Sequence, residues 1–149
     1  MAELVSTCVC GDVSFNIKGN AVPLWSVYCH CESCRKSHSA PFVSDCGFKA
    51  EDVIFDLENP PEDCMSFKAS DKGPTRWFCD SCGTRVLIDV PSVKAVCVFP
   101  AITPGLAEKF PPTGHIHYQE KVISIKDGLP KHRVWPPFSP DDKVDLIEE

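Results

Sequence analysis

The stretch FCDSCGT, residues 78–84, contains two cysteines separated by two residues and followed by a glycine. Cys79 and Cys82 are poorly placed for a disulfide with each other, whereas C-x-x-C is the common chelating turn of zinc sites. Gly83 suits a tight turn, because glycine adopts backbone conformations that other residues avoid. The spacing therefore predicts a metal-binding hairpin turn.

The stretch CVCG, residues 8–11, offers a second pair of thiols with a glycine after it. A structural zinc site closes its tetrahedral shell with four protein ligands. Cys8 and Cys10, joined by Cys79 and Cys82, would supply these four ligands. We expect this site to fix the N-terminal edge of the fold to the distant hairpin.

The stretch YCHCESCRK, residues 28–36, places three further thiols, Cys29, Cys31 and Cys34, close together. Three protein ligands leave one position of a tetrahedral zinc ion for water or substrate, as in catalytic zinc sites. Alternatively, a distant side chain closes this site too, and the spacing does not decide between the two. The side chains that offer a fourth ligand are His30, His38, His115, His117 and the isolated cysteines Cys46, Cys64 and Cys97.

Three thiolates give a bound zinc ion a net charge of about −1, so a further hydroxide binds less favourably than at a zinc held by three histidines. A soft sulfur ligand suits such a site better, and an incoming thiol loses its proton on coordination. The sequence therefore favours thiol-adduct chemistry over the hydrolysis of peptides or esters.

The composition indicates one ordinary soluble domain, because the chain has 149 residues with 43% apolar content. A net charge of −6 argues against nucleic-acid binding. No run approaches the roughly twenty apolar residues of a membrane span. The N-terminus shows no secretion signal, so we expect a cytoplasmic protein whose cysteines stay reduced. The oligomeric state is left open.

Alternating apolar and polar residues dominate the chain. In VSFNIK, residues 13–18, Val13, Phe15 and Ile17 share one face, as in a half-buried strand. Single helical turns are expected at ESCRKS and GLAEK, and the isolated cysteines are expected to be buried thiols. The pattern predicts a mostly β fold. The other predicted strands are LWSVY (24–28), PFVSDCGF (41–48), VIFDL (53–57), MSFKAS (65–70), RVLIDV (85–90), AVCVF (95–99) and KVISIK (121–126).

The chain is expected to divide into two parts. Residues 1–135 form a single zinc-binding catalytic domain, and residues 136–149 form a proline-led acidic C-terminal tail.

The motifs CVCG, CHCESCRK, FCDSCGT and the HI of residues 115–116 occur in an order that resembles the family of glutathione-dependent formaldehyde-activating enzymes, which includes centromere protein V. The similarity extends from Cys8 to about Pro130. It implies a β-tent of coiled antiparallel sheets, like that of a Rab exchange factor, stapled by two zinc ions per chain. The implied structural ligands are Cys8, Cys10, Cys79 and Cys82, and the implied catalytic ligands are Cys29, Cys31 and Cys34.

The resemblance also implies a carbon-sulfur lyase-like enzyme that joins glutathione to a carbonyl compound or splits an S-adduct. Its substrate is then a small molecule, such as a glutathione adduct. An alternative within this reading is a zinc lyase or hydrolase that acts on a specialised substrate without glutathione. A second reading is a non-catalytic, zinc-stabilised module that binds a protein partner.

Three further residues are candidates for the catalytic site. His115, in the HI motif, is expected to transfer a proton or contact the substrate, with His117 on the same face of a strand. Arg35 would attract the carboxylates of a glutathione-like peptide, or is a solvated surface charge. Ser39 stands where the family usually has glycine, and its hydroxymethyl group would narrow the cavity or donate a hydrogen bond.

Overall fold

The computed structural model describes residues 2–136 and 144–149. Strands outnumber helices in this part of the chain, which confirms the predicted mostly β fold. The strands are β1 (Leu4–Thr7), β2 (Ser14–Ile17), β3 (Trp25–Cys29), β4 (Val43–Lys49), β5 (Val53–Ile54), β6 (Cys64–Lys68), β7 (Thr75–Cys79), β8 (Arg85–Val90), β9 (Ala95–Val98) and β10 (His115–Ile116). The α-helices are α1 (Glu32–His38) and α2 (Leu106–Lys109), and short 3-10 turns cover Ala50–Asp52, Pro91–Val93, Pro100–Ile102 and Tyr118–Glu120.

The chain forms two compact units, and each is built from two separate stretches. The first unit contains Met1–Trp25 and Cys46–Phe110, and the second contains Ser26–Asp45 and Pro111–Glu149. The division between a domain of residues 1–135 and a tail of residues 136–149 stays a prediction, since residues 137–143 of that tail lie outside the described residues.

Antiparallel pairing organises the first unit. Strand β9 pairs with both β4 and β8, β8 pairs with β7, and β7 pairs with β6. In a second antiparallel group, β2 pairs with β1 and β5. The predicted alternation in β2 is confirmed, because Phe15 and Ile17 are buried while Ser14 is exposed. The apolar faces of these strands form the core of the unit.

Parallel pairing of β10 with β3 organises the second unit and aligns His115 with Tyr28. The His115 amide donates to the Pro130 carbonyl oxygen (2.8 Å), and the His132 amide donates to the His115 carbonyl oxygen (2.9 Å). The C-terminal residues join this arrangement, since the Ile147 amide donates to the Lys131 carbonyl oxygen at 2.8 Å. Residues far apart in the chain thereby hold His115 from both sides.

Two predicted strands differ from the structure. KVISIK, residues 121–126, forms no strand, because the Ile125 amide donates to the Tyr118 hydroxyl (2.8 Å) and Val122 is exposed. VIFDL is a strand only at Val53–Ile54, since the Phe55 amide turns back to the Val53 carbonyl oxygen (3.0 Å). Tertiary hydrogen bonds thus override the local alternation.

Other elements were not predicted, or were predicted too short. Strands β1 and β7 were absent from the predicted set, and the turn at ESCRKS extends to His38 as helix α1. The strand expected to carry both His115 and His117 ends at Ile116. His117 has a left-handed backbone, with φ of 50°, so the expectation that it shares a strand face with His115 is wrong.

No helix among the described residues combines the length and the apolar character needed to span a membrane.

Candidate metal centres and active site

The four sulfurs of Cys8, Cys10, Cys79 and Cys82 meet in the first unit, all within 4.8 Å of one another. The Cys10 Sγ lies 3.6 Å from the Cys8 Sγ and 3.7 Å from the Cys79 Sγ. Zinc–sulfur bonds of about 2.3 Å in a tetrahedron separate the sulfurs by about 3.8 Å. The donor set and its spacing therefore fit a closed zinc site. We call these residues the four-cysteine cluster.

Two turns position these sulfurs. In the turn after β1, the Gly11 amide donates to the Cys8 carbonyl oxygen (3.1 Å), and the Val13 amide donates to the Cys8 Sγ (3.3 Å). In the β7–β8 hairpin, the Gly83 amide donates to the Cys79 carbonyl oxygen (2.8 Å). Gly11 and Gly83 have φ of 85° and 78°, the left-handed region that glycine adopts without steric cost.

The thiols of Cys82 and Cys10 in the four-cysteine cluster differ in their pKa values. Side-chain and backbone hydrogen bonds with Thr84 lower the pKa of Cys82 from its ordinary value to about 6. A backbone hydrogen bond from Asp12 lowers the pKa of Cys10, but partial desolvation and the neighbouring sulfurs outweigh it and raise that pKa to about 12. A dication offsets the repulsion between neighbouring thiolates. Metal binding is therefore expected to release the protons that remain on the four thiols.

The second group of sulfurs, those of Cys29, Cys31 and Cys34, meets in the second unit within 4.8 Å of one another. We call it the three-cysteine cluster. Cys29 ends β3, Cys31 is the N-cap of α1, and Cys34 lies in the first turn of that helix. The Cys34 amide donates to the Cys31 Sγ (3.4 Å), so the capping interaction of the helix also orients a candidate ligand.

The pKa values of this cluster also diverge. Hydrogen bonds with Cys29 and Cys34 hold the pKa of the Cys31 thiol well below its ordinary value. Hydrogen bonds with Cys31 and Cys34, together with burial, raise the pKa of Cys29. The group therefore favours a thiolate at Cys31, the sulfur that is partly exposed.

Within residues 2–136 and 144–149, no fourth cysteine, histidine, aspartate or glutamate donor lies within 4.8 Å of all three sulfurs. The side chains considered from the sequence as a fourth ligand therefore do not join this cluster. Cys46, Cys64 and Cys97 are buried as predicted, and Cys64 lies opposite Cys79 across β6 and β7. Three protein sulfurs are one fewer than a structural zinc shell contains.

A buried histidine pair lies in the second unit with the three-cysteine cluster. His30, between Cys29 and Cys31 in the chain, places its Nε2 2.8 Å from the His115 Nδ1, and both rings are fully buried. The His115 Nε2 lies 2.7 Å from the Asp127 Oδ2. Sequence reasoning singled out His115 but missed its pairing with His30 and its carboxylate partner. Asp127 begins the short stretch DGLP, residues 127–130, and this stretch by itself does not indicate a contact with a histidine.

Aromatic rings enclose the histidine pair. The Phe42 ring stacks on the His30 ring at 5.2 Å between centroids, and the Tyr118 ring meets His30 edge-on at 4.8 Å. Burial, followed by the charge of His115, lowers the pKa of His30 from its ordinary value to about 4. His30 is therefore neutral near pH 7.

The two other candidates, Arg35 and Ser39, line one surface depression of about 520 Å³, together with Lys36, Ala40, Pro41 and Val122. The Arg35 Nε donates to the His30 carbonyl oxygen (3.0 Å), which ties α1 to the residue between two cluster cysteines. Lys36 pairs with Glu32 at 2.6 Å. His115 is fully buried instead of lining this depression.

Ser39 is the C-cap of α1 and has a left-handed backbone, with φ of 50° and ψ of 45°. Its amide turns back to the Arg35 and Lys36 carbonyl oxygens. Glycine is the residue that most often occupies this position after a helix. The structure therefore gives a conformational reason for a glycine here, separate from any contact of the Ser39 hydroxyl with a substrate.

Comparisons with known proteins agree with these features. A family model described as glutathione-dependent formaldehyde-activating enzyme matches residues 3–120. A search of curated proteins finds no match. A crystal structure of a Rhodobacter sphaeroides protein, a structural genomics target, is similar with a TM-score of 0.54 and 20% identity, and the match covers 68% of this chain and 89% of that one. This likeness supports the fold. The match to the family model extends over most of the chain and confirms the resemblance seen in the cysteine motifs: the chain belongs to the glutathione-dependent formaldehyde-activating enzyme family.

Proposed function

We propose that the protein is a zinc-dependent, carbon-sulfur lyase-like enzyme that joins a thiol such as glutathione to a carbonyl compound, or splits the resulting S-adduct. The observation that carries this proposal is the three-cysteine cluster, where three sulfurs converge without a fourth protein donor among the described residues. Membership of a glutathione-dependent family supports a thiol as one reactant.

Both clusters suit zinc, because their donors are all thiols and zinc accepts tetrahedral sulfur coordination. At the three-cysteine cluster, a zinc ion would supply a position where the sulfur of a substrate binds as a thiolate. The four-cysteine cluster has a full set of protein ligands, so its proposed role is to stabilise the first unit.

The proposed reaction is balanced without a redox partner. In the joining direction, the sulfur of the thiol forms a bond to the carbonyl carbon, and the electron pair of the carbonyl π bond moves to the oxygen. The proton lost by the thiol ends on that oxygen as a hydroxyl group. In the splitting direction the carbon–sulfur bond breaks and the proton returns to sulfur. A group that accepts and returns one proton is therefore needed.

His115 is proposed to serve this proton movement through its hydrogen bond to His30, which lies beside two of the cluster cysteines in the chain. The proposal draws on the 2.7 Å contact of His115 with Asp127, since a carboxylate partner fixes the orientation and tautomer of an imidazole.

Arg35 and Ser39 are proposed to bind the body of the substrate. Both line the depression beside α1, and a guanidinium has N–H donors beyond the one that Arg35 uses on the His30 carbonyl oxygen. These donors suit a carboxylate of a peptide-like thiol. The Ser39 hydroxyl is proposed to contact the same ligand.

Exchange NMR with isotope-labelled formaldehyde and glutathione tests the function directly. The zinc-loaded protein is expected to accelerate interconversion between the free reactants and S-hydroxymethylglutathione. Cys31→Ser is expected to abolish the acceleration, whereas Cys97→Ala, which removes a buried thiol outside both clusters, is expected to retain it. Two bound zinc ions with neither acceleration nor glutathione binding at millimolar concentration would contradict the proposal and favour a non-catalytic binding module.

A further inference from the structure

Cys64 stands directly opposite Cys79 in the antiparallel ladder between β6 and β7. The neighbouring pair is hydrogen-bonded, because the Asp80 amide donates to the Asp63 carbonyl oxygen at 2.7 Å. Hydrogen-bonded and non-hydrogen-bonded pairs alternate along such a ladder, so the two cysteines form a non-hydrogen-bonded pair. The Cα atoms of such a pair lie about 4.5 Å apart, and the two side chains project from the same face of the sheet.

This spacing suits a disulfide. The Cα atoms of disulfide-bonded cysteines are usually roughly 4.4–6.8 Å apart, so side-chain rotation is enough to join Cys64 to Cys79. Cys97 on β9 is buried to the same degree as Cys64 but lacks this relationship, because Gly47 and Ile88 stand opposite it in the neighbouring strands. The relationship therefore follows from the register of β6 and β7, and burial alone does not produce it.

Cys79 is also one of the four proposed ligands of the four-cysteine cluster, to which Cys64 does not belong. The ligand form of cysteine is the thiolate, and a sulfur that is part of a disulfide has no thiolate to offer. A disulfide between Cys64 and Cys79 would therefore leave the cluster with three of its four ligands. Zinc binding and this disulfide exclude each other at the Cys79 sulfur.

We infer that Cys64 and Cys79 are an oxidisable pair: hydrogen peroxide joins them when the four-cysteine cluster lacks zinc, and the disulfide prevents zinc from rebinding there. Cys64 acts in this assignment as the disulfide partner of a ligand and not as a ligand itself. The three-cysteine cluster takes no part, so the inference does not depend on the proposed reaction.

The oxidation balances with one peroxide molecule per disulfide. The Cys64 sulfur attacks one peroxide oxygen, the O–O bond breaks, and the departing hydroxide takes the proton of the thiol and leaves as water. The Cys79 sulfur then attacks the sulfenic acid at Cys64, the S–O bond breaks, and a second water carries away the proton of Cys79. The two thiols lose two electrons in total, and the peroxide gains them.

The order of these steps follows from the exposure of the two thiols. Cys64 retains 6% exposure, whereas Cys79 is fully buried. In the described part of the chain, β6 is the last strand of its sheet and pairs with β7 alone. Local opening at this edge therefore breaks one ladder and admits a molecule as small as peroxide to Cys64 first.

The first test maps the disulfides of the full-length protein after treatment with one equivalent of hydrogen peroxide. One sample is saturated with zinc and another contains excess chelator, and both are then alkylated and digested with trypsin. Cys64 falls in the peptide of residues 50–68 and Cys79 in that of residues 77–85, where fragmentation distinguishes Cys79 from Cys82. We expect the Cys64–Cys79 disulfide to be the main crosslink of the chelated sample and to be nearly absent from the zinc-saturated one.

This crosslink pattern also reports whether the chelated protein keeps its fold. An unfolded chain favours crosslinks between cysteines close in sequence, such as Cys79 with Cys82, because closing a short loop costs less entropy. A pattern of that kind, or Cys64 recovered as a free thiol, overturns the inference. Equal amounts of the Cys64–Cys79 disulfide with and without zinc overturn the exclusion between disulfide and metal.

The second test compares Cys64→Ala with Cys97→Ala, the control that removes an equally buried thiol. Before oxidation both variants should bind as much zinc as the unaltered protein; loss of zinc from Cys64→Ala would make Cys64 a ligand and overturn the inference. After oxidation in chelator and removal of the chelator, Cys64→Ala should rebind about one more zinc ion per chain than Cys97→Ala, since the four-cysteine cluster holds one ion.

A reductant then identifies the chemical cause of the difference. Dithiothreitol should restore zinc binding in Cys97→Ala to the level of Cys64→Ala, because it reduces a disulfide but not a sulfinic or sulfonic acid. Equal rebinding by the two variants before the reductant overturns the blocking role of the disulfide. A difference that persists after the reductant assigns the loss of zinc to irreversible oxidation and overturns it as well.

Discussion

The Thr84 hydroxyl oxygen accepts the amide hydrogen of Val9 at 3.2 Å, and the two residues belong to different turns of the four-cysteine cluster. The same oxygen lies 3.2 Å from the Cys82 Sγ. One side chain therefore connects the two turns and hydrogen-bonds to a candidate ligand. Groups that orient metal ligands in this way affect metal affinity without touching the metal.

Replacing Thr84 with valine removes the hydroxyl and keeps the shape of the side chain. We expect Thr84→Val to weaken zinc binding at the four-cysteine cluster by about tenfold or more, a typical effect of losing a partner that orients a ligand. Competition with a chromophoric chelator measures the affinity. Thr75→Val, at the opposite end of β7 from Cys79, is the control. Equal zinc affinity of both variants would contradict a role for the Thr84 hydroxyl.

The pH dependence of zinc binding should reflect the unequal thiol pKa values. With its pKa lowered to about 6, Cys82 is mostly ionised at pH 7, whereas Cys10, with its pKa raised to about 12, must release a proton when zinc binds. The apparent affinity should therefore fall as the pH is lowered. Thr84→Val should return the pKa of Cys82 toward its ordinary value and increase the protons released at pH 7. Calorimetry in buffers of different ionisation enthalpy counts these protons, and an unchanged count would contradict the assignment.

Serine substitutions should distinguish the two clusters. Cys82→Ser removes one of the four proposed ligands, which come from two distant parts of the first unit, so we expect less soluble protein and a lower melting temperature. Cys31→Ser should leave the circular dichroism spectrum and soluble yield close to those of the unaltered protein, while it abolishes turnover. Metal analysis accompanies both measurements. If Cys31→Ser destabilised the protein and Cys82→Ser did not, the structural and catalytic roles of the two clusters would be reversed.

Ser39→Gly should stabilise the protein by about 1 kcal/mol, because glycine adopts the left-handed backbone at the end of α1 without the steric cost of a Cβ atom. Ser39→Ala removes the same hydroxyl but keeps the Cβ, so it should bring no such gain. Urea unfolding of the zinc-loaded variants measures the difference. Comparing glutathione binding by the two variants separates the backbone effect from the proposed hydroxyl contact; equal stability of the two would contradict the backbone explanation.

The cysteine motifs could be interpreted from the sequence because metal ligands combine short spacing with a demanding geometry. C-x-x-C with a glycine after it predicted the β7–β8 turn, and the structure brings Cys79 and Cys82 to Cys8 and Cys10. Period-two alternation predicted β2 in the same local way. Features encoded within a few residues of each other were therefore accessible.

Contacts between distant residues that no ligand motif marks were not accessible. His115 meets His30 because the short strand β10 pairs in parallel with β3, and this pairing leaves no periodic pattern in the sequence. The contact of His115 with Asp127 lies outside that pairing and leaves no such pattern either. KVISIK alternates like a strand, yet the Tyr118 hydroxyl accepts the Ile125 amide, a contact that local sequence does not reveal. Such contacts form only when separate stretches of the chain have met.

Cys10 and Cys79, whose sulfurs meet in the four-cysteine cluster, are 69 positions apart in the chain. During translation from the N-terminus, the first pair of thiols therefore leaves the ribosome long before the second pair is synthesised. Until then the nascent chain carries an incomplete chelator, which competing oxidants and other metal ions can reach. The four sulfurs can therefore act as one complete zinc site only after the hairpin has emerged.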